Sequence, residues 1–67
     1  MTQNQLIKGH LEEGKRITTL DAVNLFNCFR LGARIHDLRR QGMDIHTRYV
    51  TAYGKTFAEY YLVNKLL

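Results

Sequence analysis

The chain has 67 residues, a formal net charge of +4 and a sequence pI near 9.6, with 45% apolar residues, no proline and a single cysteine. That length makes one domain, residues 1–67, with a thin core, because so short a chain buries only about 60% of the surface its unfolded form exposes. No run approaches the roughly 20 apolar residues of a membrane span, Met1 to Gln5 lacks the regions of a secretory leader, and Cys28 alone allows no internal disulfide. A cytoplasmic protein with no membrane partner is expected.

In chain order, Thr2 followed by Gln5 has the form of a capping box, and helix 1 is predicted to open there. Leu6, Ile7, His10 and Leu11 recur at helical spacing, and Gly14 stands where a left-handed residue closes a helix. Lys15 to Thr18 reads as a short extended piece around Ile17. Thr18 and Asp21 repeat the cap with an acid, which suits the positive end of a helix. Leu20, Val23 and Phe26 are the expected apolar face of a two-turn helix 2. Asn27-Cys28-Phe29 then connects to helix 3, where Leu31, Ile35 and Leu38 fall at i, i+4 and i+7 and Gly42 ends the run. Beyond Gly42 the residues become β-branched and aromatic with approximate alternation: Ile45, Thr47, Tyr49 and Thr51, a turn over Ala52-Tyr53-Gly54-Lys55, then Phe57 to Leu62. This predicts a β-hairpin, with which the Ile17 segment can pair to make a three-stranded sheet.

Charge and glycine concentrate in the middle of this order. From Arg30 to Lys55 there are six positive side chains and two negative ones, a net charge equal to that of the whole chain. At about 100° per residue, Leu31, Ile35 and Leu38 share a stripe roughly 60° wide, and Gly32, Ala33, His36 and Arg40 take the opposite side of helix 3. A helix entering a major groove needs its first turn close to base edges and its charges within reach of phosphates. Gly32 and Ala33 permit that approach, while Arg30, Arg39 and Arg40 supply charge and His36 a hydrogen-bonding ring.

The segments "TTLDAVNLF", "ARIHDLRRQG" and "IHTRYVTAYGKTFAEYYL", in this order, resemble winged helix-turn-helix domains, and most of all small prophage-associated helix-turn-helix proteins. The resemblance covers nearly the whole chain. It implies an α+β fold of three helices, a short strand and a C-terminal β-hairpin wing, with helix 3 in the major groove of double-stranded DNA. Carried over, helix 3 would present Arg30, Gly32, Ala33, His36, Arg39 and Arg40, and the wing Arg48, Tyr53 and Lys55. Thr18 and Thr19, at the amino end of helix 2, would anchor a phosphate. With about four to six phosphates neutralised, the logarithm of affinity should fall with that of salt at a slope of roughly −4 to −5. The expected role is a small transcriptional regulator or an accessory factor in phage excision or recombination. The alternative is a protein-interaction module that docks a larger partner through its hairpin or its C-terminal leucines.

Other residues have plainer readings. Arg34 lies beside the buried stripe and is expected to pair with Asp37 or Asp21. His10, His36, His46 and Cys28 lack the close spacing of a zinc motif, so neither metal nor cofactor is expected. The six carboxylates accompany no nucleophile and base in a recognisable arrangement, and no enzyme is expected. Cys28 reads as a small buried apolar group. Among the hairpin rings, Tyr49, Phe57, Tyr60 and Tyr61 are assigned to the core, and Tyr53 alone is left for a ligand. The tail from Leu62 to Leu67 would either pack on helix 1 or form a homodimer seam, the second being favoured because two small heads cover two half-sites.

Overall fold

A computed structural model describes residues 2–63. Its elements are α1 (Gln3–Glu12), β1 (Ile17–Thr18), α2 (Thr19–Phe26), α3 (Leu31–Arg40), β2 (Ile45–Ala52) and β3 (Lys55–Leu62). The strands form an antiparallel sheet in the order β1-β3-β2, with Ile17 opposite Tyr60 and Ile45 opposite Leu62. Three helices with a three-stranded sheet make the α+β winged helix that the resemblance implies.

The boundaries follow from local chemistry. Thr2 and Gln5 close a full capping box at α1, and Thr18 and Asp21 close another at α2. Each box satisfies two of the backbone donors that a helix start leaves open. Asn27 ends α2 in the left-handed region, where asparagine is tolerated better than most residues. Cys28 then donates its amide to the Ala22 carbonyl at 3.0 Å and buries its side chain completely. Its thiol is therefore closed to crosslinking. Gly42, at φ +99°, lets the chain leave α3 directly into β2.

The core joins Ile7 and Leu11 of α1, Ile17 of β1, Ala22 of α2, Cys28, the Leu31, Ile35 and Leu38 ridge of α3, and Ile45 of β2. Phe26, Met43, Tyr60 and Leu62 pack against it. Helix 2 departs from expectation. Its fully buried residue is Ala22, while Leu20 is 55% exposed and the partly buried Val23 and Phe26 share the inner side with Ala22. Five of its eight residues are apolar, so periodicity alone cannot choose its face. The two ends decide instead, since β1 fixes one and the buried Cys28 the other. A small residue at the contact lets α2 lie close to its neighbours.

Leu62, assigned to a dimer seam, belongs to the folded unit: it packs on the core, and the next amide, of Val63, donates to the Asp44 carbonyl at 2.9 Å. The remainder of that seam, residues 64–67, lies outside the described residues. No helix among the described residues is long and apolar enough to cross a membrane.

Candidate nucleic-acid interface

Burying Leu31, Ile35 and Leu38 turns the other side of α3 outward. Gly32, His36 and Arg40, four residues apart, are all exposed, and Ala33 beside them is half-buried. The row spans about 12 Å at 1.5 Å per residue. A methyl group placed on Gly32 would meet nothing within 4 Å, so internal packing does not require a glycine there. His36 and Arg40 make no hydrogen bond or ion pair with other described residues. Arg30 is exposed at the helix start, and α3 has no side-chain cap, which leaves its first-turn amides unclaimed by any side chain.

Arg39 does something different. Its Nε donates to the Ile45 carbonyl at 3.0 Å, a second guanidinium nitrogen donates to Thr47 Oγ1 at 3.0 Å, and the group lies 5.9 Å from the Tyr60 ring centre. It ties the last turn of α3 to the first residues of the wing. This planar two-pronged grip is one lysine cannot reproduce. Arg34 pairs with Asp37 at 3.6 Å, one of its two expected partners.

The wing has two faces, which strand alternation separates. Ile45, Thr47, Tyr49 and Thr51 share the helix side with Tyr60 and Leu62. His46, Arg48, Val50 and Ala52 share the back with Tyr61, Glu59, Phe57 and Lys55. Arg48 therefore points away from α3, where its Nε lies 3.5 Å from Glu59 Oε1. Tyr49, assigned to the core from the sequence, is 74% exposed because the hairpin runs past the edge of the helical layer. It shares the α3 side of the sheet with Thr51. Its parity with Ile45 is visible in the sequence; how far the hairpin outruns the helices is not.

At the hairpin tip, Tyr53 and Gly54 both have positive φ, at 55° and 73°, as a two-residue turn of this hand requires. Asparagine and glycine suit that turn, and a bulky residue in the left-handed region costs roughly 1–2 kcal/mol. Tyr53 holds the position with its side chain 95% exposed, and Lys55 next to it is exposed as well.

The amino end of α2 is already filled. Thr18 Oγ1 accepts from the Asp21 amide at 3.2 Å, and an Asp21 carboxylate oxygen accepts from the Thr18 amide at 3.1 Å. The phosphate site expected there thus has its donor occupied and an acid beside it. Thr19 remains exposed. The other histidines serve the fold: the His10 ring bonds the Arg16 carbonyl at 2.9 Å and meets Phe26 edge-on, and His46 pairs with Asp44 at 2.9 Å. No group of three metal-ligating side chains occurs among the described residues.

Compared with known families, residues 2–65 match a winged helix-turn-helix domain. Comparison with curated proteins and with solved structures returned no match.

Proposed function

The chain belongs to the winged helix-turn-helix domain family, a membership that indicates DNA binding, and from that premise we propose that it reads duplex DNA by placing α3 in the major groove. The observation that carries the proposal is the uncovered row of Gly32, His36 and Arg40, opposite a fully buried ridge on the same helix. Gly32 and Ala33 admit the base edges, and His36 and Arg40 contact bases or the flanking backbone. The uncapped start of α3, with Arg30, receives a phosphate. Tyr53, Lys55 and Tyr49, on the α3 side of the wing, meet the backbone beside the groove, with Thr19 at the margin. Arg39 holds the wing in place for this, Thr18 caps α2, and Arg48 faces away from the groove on the back of the wing.

We assign the protein no catalytic step and no cofactor. Its role is that of a small transcriptional regulator or a recombination accessory factor of the prophage-associated kind, acting in the cytoplasm, with two copies covering paired half-sites. The buried, unpaired thiol suits that compartment.

The test is binding to duplexes selected from a random pool, followed over a range of salt. With Arg39 and Thr18 engaged internally and Arg48 on the face of the wing away from α3, about three to four phosphates remain to be neutralised, and the log–log slope should be roughly −2.7 to −3.6. A flat salt response, or a pool that yields no preferred site, would overturn the proposal.

A further inference from the structure

The back of the wing, on the far side of the sheet from α3, is graded from basic to apolar. Its first rung carries His46 and Tyr61, with the Arg16 guanidinium 5.7 Å from the Tyr61 ring centre. The second pairs Arg48 with Glu59, and the third pairs Val50 with Phe57. Arg16 and Arg48 approach the same oxygen, Glu59 Oε1, at 3.8 and 3.5 Å. Two cations share one carboxylate, so the rung keeps a net positive charge. Those distances are also too long for good hydrogen bonds, so the guanidinium donors make none among the described residues.

Beside this rung, Leu20 reaches from the first turn of α2 toward Phe57. With Thr18, Val50, Ala52 and Tyr53 these two side chains line a cleft of about 130 Å³. A cavity of roughly this size admits one benzene-sized group. Lys55 follows on the next rung, opposite Ala52. The cleft is thus flanked by cations at both ends of the face.

We propose that this face docks a peptide segment of a partner protein, one in which an apolar side chain is bordered by carboxylates. The apolar residue fills the cleft, and the acids take the open donors of Arg48 and Arg16. A second copy of the chain is a poor fit. Of its six carboxylates, Glu13, Asp21, Asp37, Asp44 and Glu59 are each held by a partner within the fold, and two copies at +4 repel. A contact of this extent is small, which suits a transient partner. The cleft shares Tyr53 and the neighbouring Lys55 with the DNA reading, but Leu20 and Val50 take no part in that reading, so the two can be tested apart.

The test uses the full chain against a phage-displayed random peptide library, and then the synthetic peptide of the recovered consensus. Enriched sequences should combine Leu, Phe or Met with neighbouring Asp or Glu. Leu20→Ser should weaken the consensus peptide about tenfold and leave duplex binding unchanged. Leu20 is already more than half exposed, so the fold should tolerate this change, and Val50→Thr provides a second variant that keeps the β-branch. Amide shifts on titration should concentrate at Leu20, Arg48, Val50 and Phe57. Absence of enrichment, a basic or uncharged consensus, or undiminished affinity in both variants would overturn the proposal. So would concentration-dependent self-association abolished by Leu20→Ser, which would make the occupant a second copy.

Discussion

Helices α2 and α3 are neighbours in one motif, with eight and ten residues, yet their chemistry is arranged oppositely. In α2 the amino end is closed by Thr18 and Asp21, one alanine makes the fully buried contact, and leucines face outward. In α3 the amino end has no side-chain cap, three large aliphatic residues are buried, and the outer face carries small and charged residues. The difference shows what each can spare. A helix held by a strong apolar ridge does not depend on its outer face or its first-turn amides, so both can be given over to a ligand. A helix with one small buried contact needs its cap.

Substitutions at matched positions test that contrast. Arg40→Ala should produce the largest effect, a loss of about 1–3 kcal/mol in duplex binding by fluorescence anisotropy, with an unchanged thermal midpoint. Arg39 is unsuitable for this purpose, since removing it would also loosen the wing. Thr18→Ala should do the reverse, reducing stability by about 0.5–2 kcal/mol in chemical denaturation while leaving duplex affinity within about threefold, well under 1 kcal/mol. If it lowered affinity as far as Arg40→Ala does, the contrast would fail. Gly32→Ala places a methyl in open space, so stability should rise by up to about 1 kcal/mol. Duplex affinity should drop a few-fold as the same methyl blocks close approach.

The smallest effect concerns a site outside both helices. Lys15, 3.0 Å from Glu13, lowers that carboxyl's pKa first by hydrogen bonding and then by charge. Any stability the pair adds is present above the ordinary carboxylate pKa and is lost as pH falls through the lowered folded value. Both side chains are well exposed and screened by solvent. Glu13→Gln should leave the thermal midpoint unchanged within error at neutral pH.

Most of the fold is legible in the sequence, because its signals are local. Thr2 with Gln5, Thr18 with Asp21, and Gly42 after a run of helical spacing each act within four residues of their own position. The buried ridge of α3 is likewise readable, since its three apolar residues stand against polar neighbours. The face of α2 is not, because too many of its residues are apolar and its ends set the rotation. The site divides the same way. Gly32, His36 and Arg40 follow from the wheel, whereas the engagement of Arg39 with Ile45 and Thr47, and of Arg48 with Glu59, depends on where the hairpin lies against the helices. The exposure of Tyr49 is hidden from the sequence for the same reason: alternation gives its side of the sheet, not the limit of the helical layer.

The bond from Arg39 into β2 has a mechanical consequence. If α3 reads the groove as proposed, this bond joins it and the wing into one jaw with a set opening, and the duplex would have to adapt to the protein's gap rather than the reverse. Sites whose groove width already matches that opening would deform least, and base pairs the protein never touches would then influence which sites it prefers.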